Sequence, residues 1–167
     1  MELRKFIATT IREFLTEQIQ LNPTTLTDII NNTASNWKYN KRMSIKQIND
    51  GYCMDFAEDV VNKIGFENSN GGFHRVYSEY LYDYDDLGFY DDEQIFDDEN
   101  LSKWNKSSIN QYGGLPNIVN LEQYEPDTHV WLYFNGKHYD AENPNGVNKW
   151  YELDFYKRDL AKFLKSF

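Results

Sequence analysis

The order of elements predicts an α+β domain, with N-terminal helices packed on one side of an antiparallel sheet. Three observations carry this. Apolar residues recur at three- and four-residue steps near the start of the chain. A second such stretch follows Gly51 and stops at Gly65. The last third consists of short β-prone runs joined by Asn-Gly turns.

Each element has its own signal. Leu3, Phe6, Ile7, Ile11, Phe14, Leu15 and Ile19 form one stripe, opposed by Arg4, Lys5, Arg12, Glu13 and Glu17. Pro23 ends this helix or opens the next, a short one over Thr24–Ile30. Residues 31–44 are polar and turn-rich and read as a loop pinned by Trp37 and Tyr39. Asn49, Asp50 and Gly51 suit an N-cap region, which puts Cys53 in the first turn of a helix. Phe56, Ala57, Val60, Val61 and Ile64 make its apolar face, and Gly65 suits its C-terminal stop. Residues 68–72 are a turn, and Phe73–Tyr82 a strand. Residues 102–126 read as loop with one short strand over Asn117–Leu121. His129–Phe134 and Lys137–Glu142 flank Asn135-Gly136, the strongest short hairpin signal. Residues 143–146 turn again, Val147–Leu153 is a third strand, and Asp159–Phe167 a closing helix.

Composition narrows the function. The 167 residues suffice for one domain, 1–167, and 40% hydrophobic with 17% aromatic residues supply a core. Seventeen basic against 27 acidic residues give a net charge of −10, which argues against direct binding of nucleic acid. Residues 79–99 hold ten Asp and Glu and no Lys or Arg, so the excess sits in an acidic insertion at about 79–100. One cysteine forms no internal disulfide. No apolar run is long enough for a membrane span, and the N-terminus lacks the apolar stretch of a signal peptide, so a cytoplasmic protein is expected. The richness in Asn, Ile, Lys and Tyr is compatible with an AT-rich bacterial or phage genome.

Cys53 is the first candidate for chemistry. A thiol attacks only as a thiolate, and a helix N-terminus favours negative charge through its open N–H groups. The same groups can hold an oxyanion. The competing reading is a small buried hydrophobe. The hairpin supplies the second half. If Phe134 pairs with Lys137, then His129, Trp131, Tyr133, His138, Asp140 and Glu142 share one face. Asp140, diagonal to His129, and Glu142, opposite it, could each orient the imidazole; Asp140 is favoured, because Glu142 lies close to the strand end. A base to take the thiol proton and a carboxylate to fix the base complete a nucleophile–base–acid set.

In these residues the chain resembles the papain-like superfamily, nearest to transglutaminase-like and bacterial thiol peptidase domains. The resemblance rests on Gly51-Tyr52-Cys53-Met54-Asp55-Phe56-Ala57, His129-Val130-Trp131-Leu132 and Gly136-Lys137-His138-Tyr139-Asp140-Ala141. It covers residues 45–65 and 128–155. It implies Cys53 as nucleophile, His129 as general base and acid, Asp140 as orienting acid, and Gln47, six residues before the nucleophile, as oxyanion donor, with Asn49 a rival. Phe56 occupies the neighbourhood where a tryptophan often follows the nucleophile in such motifs. The implied activity is hydrolysis or transfer of the acyl group of an amide or isopeptide bond in a protein or peptide, and the acidic segment favours a basic one.

Other readings compete. His129, His138, Asp140 and Glu142 offer metal ligands, but one hairpin sets them along a line and not around a point, so no metal and no cofactor is expected. His74 has no evident partner and reads as a surface histidine. The acidic segment lacks the pattern of a calcium loop. It could instead present a nucleic-acid-like surface to a basic partner, which makes a non-enzymatic acidic binding protein, an inactive relative or DNA mimic, the alternative function.

Overall fold

The computed structural model describes residues 21–65, 67, 72–78, 110, 112–119 and 121–167. The predicted helix over residues 3–19 and the acidic segment lie outside them. Among the described residues, four helices surround a three-stranded antiparallel sheet of order β1-β2-β3.

Helix α1 runs Pro23–Asn40, α2 Ile45–Gly51, α3 Cys53–Ile64 and α4 Asp154–Phe163. Pro23 opens α1, and the Asn22 side chain accepts from Thr25 N. The helix goes on through the segment expected to be loop. Leu26, Ile30, Thr33, Ala34 and Trp37 form one buried stripe at helical spacing, and its burial outweighs the weak propensity of the Asn-rich exposed face. Ser44 and Gln47 close a capping box at the start of α2. Asn49–Gly51 therefore end one helix and do not cap the next; Tyr52 alone separates α2 from α3. Gly65 ends α3 in the left-handed region at φ 86°, as expected.

The strands are β1 (His74–Tyr77), β2 (Val130–Phe134) and β3 (Lys137–Tyr139). Asn135 and Gly136 both have positive φ, 49° and 76°, the type I′ turn predicted. The register is also the predicted one: Phe134 opposite Lys137 and Tyr133 opposite His138. Both runs are shorter than expected, because β3 stops at Tyr139. In place of a third strand over 147–153, Val147 makes one bridge to His138 and Trp150–Glu152 forms a 3₁₀ turn. Leu121–Gln123 is likewise a 3₁₀ turn, not the end of a strand. The closing helix begins at Asp154, five residues before the predicted start.

The sheet is covered on both faces, not on one. Val130, Leu132 and Tyr139 pack with α1, α2 and α3 through Leu26, Ile30, Ile48, Phe56 and Val60. Val76 and Trp131 pack on the other face with Tyr112, Tyr124, Trp150, Leu153, Phe155 and Tyr156. The face that carries His129, Trp131 and His138 is thus a second core. No described helix is long and apolar enough to cross a membrane.

His138 sits in this second core, fully buried, where its Nδ1 accepts from Trp131 Nε1 at 2.9 Å. Burial pushes its pKa down to about 4. The unfolded imidazole protonates near 6.5, so between pH 6.5 and 4 the unfolded chain binds the extra proton and stability falls as pH drops. The loss from His138 alone is about 3 kcal/mol by pH 4. His74, also held low by burial, has the same sign. From pH 7 to 4 His138 and His74 should therefore pull urea midpoints down, against the opposite pull of His129, whose pKa is raised. His138→Gln, which keeps an acceptor for Trp131, should lessen that downward pull; an unchanged slope would contradict it.

Candidate active site

The nucleophile candidate stands where helix and sheet meet. Cys53 is the first residue of α3, half-buried, at the margin of the helical core. A helix's first N–H groups have no partner within it, and Met54 N–H in this turn favours the thiolate. So does Val130 N–H. The ladder explains this second donor. On β2, Leu132 and Phe134 point their backbone groups toward β3, so by parity Val130 does too. But β3 has ended at Tyr139, and Val130 N–H acts on the sulfur instead.

What ends β3 is the candidate orienting acid, Asp140. Asp140 turns the chain: its Oδ1 accepts from Glu142 N at 2.9 Å and Asn143 N at 2.7 Å. Its Oδ2 meets His129 Nε2 at 3.3 Å. Both side chains are buried. With Nε2 committed to Asp140, Nδ1 is the ring nitrogen left for the sulfur. This buried atom has no hydrogen bond of ordinary geometry, yet thiol and imidazole act on each other. Contacts of this kind often tighten only with substrate bound.

The electrostatics follow from these contacts. Burial alone pushes the Cys53 thiol up, but the His129 imidazole and the two N–H donors together bring it below its ordinary value. Burial alone pushes His129 down, and Asp140 and Cys53 together hold it above its ordinary value. The two shifts favour a thiolate beside an imidazolium.

Two supports of His129 had no signal in the sequence. Phe155 of α4 stacks on the imidazole, ring centres 4.2 Å apart and planes 13° from parallel. The expected closing helix began too late to include it. Ser78, just after β1, accepts from His129 N through Oγ at 2.8 Å and donates its own N–H to His129 O at 3.0 Å. Nothing in the run Phe73–Tyr82 singled Ser78 out.

The other predicted residues lie elsewhere. The Gln47 side chain is exposed, and its Oε1 accepts from Ser44 N and Oγ, each at 2.9 Å, in the capping box. Asn49 is buried, and its Nδ2 donates to Glu142 Oε2 at 2.9 Å. Glu142 does not orient His129, because the Asp140 turn swings it away to Arg158, 2.8 Å from both guanidinium nitrogens. His74 is not a surface histidine. It is half-buried, with Nε2 3.0 Å from Tyr112 Oη, and its ring packs on Tyr133. Among the described residues no group of three or more His, Cys, Asp or Glu could hold a metal ion.

No family model, no curated protein and no solved structure matches the chain.

Proposed function

We propose that the protein is a papain-like thiol enzyme that hydrolyses or transfers the acyl group of an amide or isopeptide bond. The observation that carries this reading is the convergence of Cys53, His129 and Asp140, with the thiol lowered and the imidazole raised against burial. The Cys53 thiolate attacks the carbonyl carbon. The N–H groups of the first turn of α3 receive the oxyanion. His129 Nδ1–H gives its proton to the leaving amine as the C–N bond breaks, and a thioester remains. The neutral imidazole then takes a proton from water or from an acceptor amine, which attacks the thioester and releases the sulfur as thiolate. Asp140 holds Nε2–H throughout and keeps Nδ1 directed at the reacting atoms. Tyr52 and Met54, both about half exposed beside Cys53, offer apolar contact to a peptide chain.

The test is the rate of Cys53 alkylation by iodoacetamide against pH. The expected profile has an inflection well below the 8.5 of a free thiol, and His129→Ala moves it up, because burial then meets only the two N–H groups. An ordinary inflection in the native protein, or a thiol closed to the reagent, overturns the enzyme reading. Binding to a basic partner that survives Cys53→Ala would then favour the non-enzymatic alternative.

A further inference from the structure

The Glu142 carboxylate stands where three chain segments meet. It receives Asn49 Nδ2 at 2.9 Å from the last turn of α2, and both Nη1 and Nη2 of Arg158 at 2.8 Å from α4. Arg158 Nη2 also reaches Asp50 Oδ1 at 3.0 Å. The backbone N–H of Glu142 donates to Asp140. One residue on, Asn143 Oδ1 accepts from Asp154 N at 2.8 Å and fixes the start of α4, next to the Phe155 that stacks on His129.

These bonds have a common geometry. Asn49 and Asp50 lie four and three residues before the proposed nucleophile, Asp140–Asn143 is the turn that holds the proposed orienting acid, and α4 carries the ring beneath the imidazole. The fork of Arg158 on a mostly buried carboxylate is stiff and directional. We propose that Glu142 and Arg158 are positioning residues that set the approach of Cys53 to His129. They do so by clamping the end of α2 and the front of α4 onto the Asp140 turn. This rests on the thiol-enzyme reading above. Neither residue touches the reacting atoms, so each acts through Asp140, Cys53 or His129.

The experiment measures the iodoacetamide profile in the full chain for the native protein, Glu142→Gln, Arg158→Gln and Arg158→Lys, each shown folded by its circular dichroism. With the clamp loosened, alkylation at pH 6 slows roughly three- to tenfold in Glu142→Gln and Arg158→Gln, and the inflection moves toward that of a free thiol. Arg158→Lys keeps the charge without the fork and restores part of the rate. Arg158 is partly exposed, so its variants still decide the matter if Glu142→Gln does not fold. Folded variants with the native profile overturn the clamp and leave the thiol-enzyme reading standing. An ordinary profile in the native protein overturns that reading instead.

Discussion

Asp140→Asn should lower acyl transfer by roughly a thousandfold or more while leaving the fold nearly intact, the pattern of a base held in the wrong tautomer. The reason lies in the turn. Two backbone N–H groups, from Glu142 and Asn143, point at one oxygen of this side chain. In an asparagine that position must be the carbonyl oxygen, so the amide –NH₂ is the group that faces His129 Nε2. A donor there makes Nε2 the acceptor and moves the ring proton to Nδ1. The neutral imidazole then meets the sulfur with an N–H and cannot take its proton. An activated ester such as p-nitrophenyl acetate gives the measurement, because phenolate release reports acylation of Cys53 whatever the natural acyl group is. Asp140→Ala should be as inactive and also less stable, by about 1–3 kcal/mol, since both turn N–H groups lose their acceptor. Undiminished acylation in Asp140→Asn would show that the carboxylate does not set the tautomer.

The largest effect on stability is expected at Trp131. It is buried at the centre of β2, packed edge-on against Tyr156 and bonded to His138. Trp131→Ala opens a cavity in the second core and should cost about 3–5 kcal/mol. That is a large share of the roughly 5–15 kcal/mol that holds a domain folded. Trp131→Phe separates the contributions. It keeps most of the volume and leaves His138 Nδ1 without its donor, for a smaller loss of about 1–3 kcal/mol. Urea midpoints measure both. A loss below about 1 kcal/mol in Trp131→Ala would mean that the face is less tightly packed than the ring contacts imply.

How much of this was readable beforehand differs by element. The turn and register of the hairpin were legible to the residue, because Asn135-Gly136 admits few turn types and the turn sets the register, whereas the strand lengths were not. Cys53 at a helix start and His129 beside Asp140 followed from the same local rules. Residues 31–40 misled because their exposed face is Asn-rich; the stripe through Thr33, Ala34 and Trp37 is clear only once its burial is known. Glu142 seemed able to face His129 because the strand was extended past Tyr139, and no pattern in the chain announces that Asp140 turns it. Phe155, Ser78 and Arg158 act across long sequence separations, and spacing along a chain carries no record of such meetings.

The assembly of the sulfur and the imidazole from opposite layers has a consequence for a newly made chain. Cys53 comes from the helical layer, while His129 is seated by Phe155 in the other. On the thiol-enzyme reading, a chain with only one layer in place holds the sulfur apart from its imidazole. The proposed reactivity then depends on the closing of the whole architecture, which would make the sulfur a reporter of completed folding.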